Sequence, residues 1–245
     1  MLTGASRGIG AATARALGAA GAHVVAHYGS YRDGAAEAVA DVPAERKLLV
    51  EANLAAPGSA RSLWREALGW RGRIDVLVAN AAVMPSTPLD ASDEDWDRAW
   101  DEVLRVNVLE PASLMREAVR HFVSSGGGSL ITLSSWAAQR GSAIAQLTGY
   151  AASKAAIRNL TQTIARNYAG DNVLAYVVAP GIVRTRMSEI SALSRGGVEA
   201  VNAALALGEM VPPEEVARLI VFLAGGDCRH LTGSTIDVNG ATYIR

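Results

Sequence analysis

The chain has 245 residues, half of them hydrophobic, with 23 Lys and Arg against 24 Asp and Glu for a formal net charge of −1. That length and apolar content suffice to bury the core of one α/β domain, and the balanced charge, with no Lys/Arg run, argues against nucleic acid as a partner. No apolar run approaches the ~18 residues of a membrane span, no charged-then-apolar leader is evident, and the single cysteine, Cys228, excludes an internal disulfide and fits a reducing, cytoplasmic setting.

In chain order, short aliphatic or β-branched runs alternate with longer helical patterns, the mark of a parallel sheet with crossover helices. The predicted strands are Met1–Thr3, His23–His27, Lys47–Glu51, Ile74–Ala79, Ser129–Ser134, Leu174–Ala179 and Thr235–Val238, with helices beginning near Gly8, Asp33, Ser59, Asp93, Thr148 and Pro213. Several strands are apolar almost throughout, as expected when helices cover both faces. The fold class is therefore α/β: a single Rossmann-type, doubly wound parallel sheet of about seven strands spanning 1–245. The first strand is short, because only Met1, Leu2 and Thr3 precede a glycine-rich turn. Either the natural start lies upstream, or the sheet carries a stub at its centre.

Such a sheet binds its ligand at the carboxyl ends of its strands, where Thr3-Gly4, Asn80, Ser134-Ser135 and Pro180-Gly181 fall. The turn Thr3-Gly4-Ala5-Ser6-Arg7-Gly8-Ile9-Gly10 leads from a strand into a helix. Glycines at 4, 8 and 10 suit a tight turn, close approach to a pyrophosphate and close helix–sheet packing. The helix N-terminus offers free N–H groups and partial positive charge to phosphates. Further on, Tyr150 and Lys154 stand four residues apart, on one helix face. A free tyrosine titrates near ~10, and a cation one turn away favours the phenolate and brings it toward the working range. A serine from the Ser134-Ser135 pair can reach the same spot. Together these groups can protonate or deprotonate a carbonyl or alcohol oxygen. The four histidines, His23, His27, His121 and His230, are scattered and form no metal cluster with the cysteine, so each reads as structural or exposed.

On these residues the chain resembles the classical short-chain dehydrogenase/reductase family, essentially from end to end. The matches are the Thr3–Gly10 turn, Asn80-Ala81-Ala82, Asn107 within Val-Asn-Val, Ser135, Tyr150, Lys154, Pro180-Gly181 with Thr185, Thr232-Gly233, and Val238-Asn239-Gly240. The resemblance implies a nicotinamide cofactor and hydride transfer to or from a carbonyl/alcohol carbon. It assigns Tyr150 as proton donor, Lys154 to the ribose hydroxyls and the tyrosine pKa, Ser135 to the substrate oxygen, and Asn107 to a proton-relay water. It places Pro180, Gly181, Val183 and Thr185 at the nicotinamide end, with Asn53, Leu54, Asn80, Ala81 and Ala82 toward the adenosine side.

The chain departs from the family pattern in several places. The Ser135–Tyr150 interval is two residues longer than the commonest family spacing, which leaves Ser134 a competitor for the serine role. Ala79-Asn80-Ala81-Ala82 replaces Asn-Asn-Ala-Gly, Asn53-Leu54 replaces Asp-Leu, and Tyr176 stands where asparagine is common. After the second strand comes Tyr28-Gly29-Ser30-Tyr31-Arg32, with no acid until Asp33. An NAD site usually places a carboxylate there, and an arginine accommodates a 2′-phosphate. Ser30, Arg32 and Arg7 therefore favour NADP(H) over NAD(H).

The substrate pocket is expected between the 136–149 loop (Trp136, Gln139, Arg140, Ile144, Leu147) and a substrate-loop segment at about 184–210 (Arg186, Met187, Ile190, Leu193, Arg195). The partner is a small carbonyl or alcohol. The nearest branch, the 3-oxoacyl carrier-protein reductases, is an alternative, weakened because Ser124-Ser125-Gly126-Gly127-Gly128 and Gly170-Asp171-Asn172 lack the basic residues that dock an acidic carrier. A non-catalytic dinucleotide-binding regulator is the alternative of another class, but it predicts a broken tetrad, and Asn107, Ser135, Tyr150 and Lys154 are all present. The resemblance also implies a homotetramer, or a dimer, assembled partly through the apolar faces of 96–123 and 151–168.

Overall fold

The structure is a computed structural model and describes residues 1–193 and 195–244. Six parallel strands form its sheet: β1 Val24–Tyr28, β2 Lys47–Glu51, β3 Val76–Ala79, β4 Gly128–Leu133, β5 Val173–Pro180 and β6 Thr235–Val238. Between and after them lie helices α1 Gly8–Ala19, α2 Arg32–Ala38, α3 Ser59–Arg71, α4 Asp93–Leu104, α5 Glu110–Ser124, α6 Ala137–Arg140, α7 Thr148–Tyr168, α8 Arg186–Leu193, α9 Gly197–Ala203 and α10 Pro213–Gly225. The strands pair as β1-β2 and as β3-β4-β5-β6, all in parallel register.

The expected seventh strand, Met1–Thr3, is reduced to one bridging residue. Leu2 pairs with Ala26 on one side and Val78 on the other, and so joins the two strand groups in the order β2-β1-Leu2-β3-β4-β5-β6. Four backbone bonds make the seam: Leu2 N to Val25 O and Val78 N to Met1 O at 2.9 Å, and His27 N to Leu2 O and Thr3 N to Val78 O at 3.0 Å. The chain crosses from one side of the sheet to the other there, which opens the crevice where such folds bind ligands.

Alternation along the strands feeds two cores. In β5, Val173 and Ala175 pack with Leu63, Trp64, Met115, Phe122 and Ile157 of α3, α5 and α7. Leu174, Tyr176 and Val178 face Ala11, Val216, Ile220 and Leu223 of α1 and α10. All eight β5 residues are buried, the signature of a strand covered on both faces.

Helix α3 has no side-chain cap of its own. Instead the buried Glu110 carboxylate, from the start of α5, accepts from Gly58 N and Ala60 N at 2.9 Å each, a charge placed where the helix dipole favours it. Helices α4 and α5 are also one continuous rod, interrupted by a π turn at Arg105–Leu109. Pro111 lies in the first turn of α5 and has no N–H to donate to the carbonyl four residues back. The π turn absorbs that missing bond.

Candidate active site

The loops at the carboxyl ends of the strands enclose a cleft of about 720 Å³. Its floor is the glycine turn, and the backbone there needs glycine for different reasons at each position. Gly4 adopts φ +71° and Gly8 φ +52°, left-handed values that cost an L-residue about 1–2 kcal/mol. A Cβ on Gly10 would lie 1.9 Å from the Gly4 carbonyl oxygen, and one on Gly8 would lie 2.8 Å from Thr185 Cγ2. The turn is thus folded tightly on itself and against the start of the 184–210 segment.

Thr3 and Asn80 lock this turn to the end of β3. The Thr3 hydroxyl accepts from Asn80 N at 3.0 Å and Ala81 N at 3.1 Å. In return, the Asn80 amide donates to Thr3 O at 2.9 Å and Gly4 O at 3.2 Å. Thr3 is buried and does not line the cleft, so its part is to hold the turn.

Ser134 and Ser135 separate cleanly. Ser134 donates to the Lys154 carbonyl at 2.8 Å and braces β4 against α7. Ser135 accepts from Ala137 N at 3.2 Å, and its hydroxyl pulls the Tyr150 phenol's pKa downward. Lys154 Nζ donates to Leu133 O at 2.8 Å and lies 5.7 Å from the Tyr150 ring centroid. Ser135, Tyr150 and Lys154 all line the cleft. Burial pushes the Tyr150 phenol up to about 12, against the downward pull of Ser135. Burial pushes the Lys154 ammonium down to about 8. The Tyr150 shift corrects the expectation drawn from the Tyr150–Lys154 spacing: burial outweighs the cation one turn away and moves the phenol away from, not toward, the working range.

Asn107 stands behind this group, in the π turn. Its side chain accepts from Val83 N at 2.8 Å and donates to Val83 O at 2.9 Å and Ser153 Oγ at 3.1 Å. The carboxamide is thereby committed to fixing the loop after β3.

Of the residues singled out from sequence, Gly4, Ser6, Arg7, Gly8, Ile9, Gly10, Ser30, Asn53, Leu54, Asn80, Ala81, Ala82, Pro180, Gly181, Val183 and Thr185 line the same cleft as Ser135, Tyr150 and Lys154. Arg32 does not: it opens α2 and is exposed. Arg7 does, with its guanidinium 4.3 Å over the Tyr31 ring. Among the described lining residues the one carboxylate is Glu102, contributed by α4. From the expected substrate segments, Arg186, Met187 and Ile190 reach the cleft, whereas Trp136, Gln139, Arg140, Ile144, Leu147, Leu193 and Arg195 are not among its lining residues. Arg140 instead sits 5.5 Å from the Tyr243 ring centroid and 6.0 Å from that of Trp136. Sequence reasoning misses Glu102, Val106 and Val83 on the α4 side, and also His27.

A family model described as enoyl-(acyl carrier protein) reductase matches residues 4–241. The chain belongs to the short-chain dehydrogenase/reductase family. It is 34% identical over 244 residues to cis-4-hydroxycyclohexanecarboxylate dehydrogenase of Sinomonas cyclohexanicum, covering 98% of this chain and 94% of that protein. Human dehydrogenase/reductase SDR family member 4 is 33% identical over 250 residues (100% and 87%). The 3-oxoacyl-[acyl-carrier-protein] reductase FabG of Escherichia coli K12 is 30% identical over 244 residues (100% and 96%). Membership makes the chain an NAD(P)-dependent oxidoreductase acting on CH–OH or carbonyl groups. The cleft fits such a dinucleotide, since its floor is a glycine turn, closed too tightly for side chains at 4, 8 and 10, that leads into the N-terminus of α1. None of the described helices is long and apolar enough to cross a membrane.

Proposed function

We propose that the chain is an NADP(H)-dependent reductase of a small carbonyl compound, or dehydrogenase of the matching secondary alcohol, with Tyr150 as acid/base. The observation that carries this reading is that Ser135, Tyr150 and buried Lys154, its Nζ 5.7 Å from the Tyr150 ring centroid, line the same cleft as the glycine turn. When bound, the nicotinamide supplies or accepts the hydride. The backbone N–H groups at the start of α1 face the phosphates, and Pro180, Gly181, Val183 and Thr185 hold the nicotinamide end. Ser135 orients the substrate oxygen, and the Tyr150 phenol gives it a proton. Lys154, charged below about pH 8, stabilises the phenolate left behind and holds the ribose hydroxyls. The Asn107 carboxamide is occupied by Val83 and Ser153, so its part is to hold the loop after β3 against α7.

The NADP(H) preference rests on the adenosine end, where Arg7 and Ser30 line the cleft and no carboxylate among the described lining residues stands beside them. Arg7, rather than Arg32, is the cation for a 2′-phosphate. A second reading, reduction of a 3-oxoacyl carrier-protein thioester, is favoured by the Escherichia coli relative. Against it stands the surface beside Glu102, where α4 carries Asp93, Glu94, Asp95, Asp97 and Asp101, a face that repels an acidic carrier. The exposed Leu104, Leu109 and Val123 along the α4–α5 rod support assembly into a homotetramer, which light scattering would test.

The experiment is to follow NADPH and NADH oxidation against acetoacetyl thioesters, free and carrier-bound, keto sugars, aromatic ketones and diketones. NADPH consumption with one class, lost in Tyr150→Phe and weakened in Arg7→Ala for NADPH but not NADH, is expected. Equal use of both cofactors, unmoved by Arg7→Ala, refutes the preference. Binding without turnover of any class in either direction would revive a non-catalytic role.

A further inference from the structure

We infer that His27, at the carboxyl end of β1, is a positioning residue for the dinucleotide, holding the glycine turn and the loop after β2 in register through its two ring nitrogens. The inference rests on the proposed dinucleotide site. His27 is 2% exposed yet lines the cleft floor. Gly4 N donates to its Nδ1 at 3.0 Å. Its Nε2 lies 2.9 Å from the Ala52 carbonyl oxygen. A carbonyl can only accept, and a backbone N–H can only donate, so the ring is the neutral tautomer with its proton on Nε2. Burial lowers its pKa from the ordinary histidine value, against the opposing pull of the Ala52 bond, and so favours that neutral form.

The two bonds join two different subsites. Gly4 begins the turn that cradles the phosphates, in a left-handed conformation with no room for a side chain. Ala52 immediately precedes Asn53 and Leu54, which line the adenosine end. The His27 main chain is also fixed to the N-terminal segment, accepting from Ala5 N at 2.8 Å and donating to Leu2 O at 3.0 Å, while its ring joins the two subsites. A rigid ring bridging them sets the separation of phosphate floor and adenosine wall before the dinucleotide arrives, the kind of preorganisation that spares ordering on binding. Tyr150 and Lys154 lie elsewhere in the cleft, so the effect is on cofactor affinity and not on proton transfer.

Three variants test this by NADPH and NADH fluorescence titration, with thermal melts to verify folding and kcat measured at saturating cofactor. His27→Leu keeps the bulk and loses both bonds. His27→Asn restores an acceptor near the Nδ1 position, and His27→Gln a donor near Nε2. Loss of both bonds in H27L is expected to raise the Kd of both dinucleotides about tenfold, with kcat at saturation kept. H27N and H27Q, each keeping one of the two bonds, should fall between H27L and wild type, a graded rescue that simple packing does not predict, and either one at wild-type affinity overturns the bridge. Wild-type affinity in folded H27L, or H27N as weak as H27L, overturns the inference. A wild-type chain that binds neither dinucleotide overturns the cofactor reading and this inference together.

Discussion

Replacing Gly10 by Ala is the sharpest test of how the cleft is built. The added Cβ would fall 1.9 Å from the Gly4 carbonyl oxygen, 2.7 Å from Asn80 Nδ2 and 2.8 Å from the Gly4 carbonyl carbon. Ordinary contact needs more than about 3 Å, so something must move by about an ångström. Two of the three obstacles are backbone. The third is a side chain pinned to Thr3 O and Gly4 O, so no flexible end can swing away. Overpacking of this kind costs about 1–3 kcal/mol, and displacement of about 1 Å at a positioning element costs up to roughly 100-fold in rate. The expected outcome is a melting temperature lowered by several degrees and kcat/KM lower by about two orders of magnitude, mostly through weaker dinucleotide binding. Gly69→Ala is the control: it lies inside α3 with nothing within 4 Å of the new Cβ, and should be neutral or stabilising by up to about 1 kcal/mol. Wild-type cofactor affinity and turnover in Gly10→Ala would refute the reasoning.

The site and its supports give three further expected outcomes. Tyr150→Phe should lower turnover by about 10²–10⁴-fold while a dinucleotide titration shows binding retained, because the phenol and not the ring is removed. Lys154 carries a burial penalty that is full below its folded pKa of about 8 and is relieved as pH rises toward the unfolded value near ~10.4. Cofactor-free Lys154→Met should therefore be more stable than wild type at pH 7 in urea, by up to a few kcal/mol, with the gap narrowing by about pH 9.5; a gap that widens refutes the sign. Glu110→Ala strips two buried N–H groups of their acceptor and should cost about 2–4 kcal/mol, read as a melting temperature lower by roughly 5–15 °C.

The parts of the site that are legible in the sequence are those fixed by short-range geometry. Tyr150 and Lys154 share a helix face whatever surrounds them, and a glycine turn between strand and helix has few alternatives. Strand limits differ by one or two residues, and α2 begins at Arg32 rather than Asp33. Arg32 there is exposed and outside the cleft, whereas Arg7, in the glycine turn, lines it. The choice between Ser134 and Ser135 needs the packing of β4 on α7, which no local pattern encodes. Asn107 lies in a π turn, and hydrophobic periodicity carries no mark of one extra residue in a rod. His27 reads as structural in the sequence because a lone histidine in an apolar strand usually is. Its role depends on Gly4 and Ala52, 23 and 25 residues away. The 136–149 residues point to the substrate by position alone, whereas Arg140 turns to the rings of Tyr243 and Trp136.

The π turn also has an arithmetic consequence. One residue added to a 3.6-residue helix rotates everything beyond it by about 100°. Upstream of Arg105 the rod presents Asp93, Glu94, Asp95, Asp97 and Asp101 around a largely exposed surface. Downstream, the phase has shifted and Leu114, Met115, Ala118 and Phe122 enter the core. The extra residue thus shifts the sequence phase of the apolar positions while the two halves of the rod stay continuous. Asn107 stands inside the π turn, where its carboxamide meets both edges of Val83. Removing a single residue from 105–109 would let the rod close as a regular α-helix with both halves keeping their faces, so the loss would fall on Asn107 and its hold on Val83. The irregularity in the rod thus serves the loop beside the cleft, which a straight helix would leave without its carboxamide clamp.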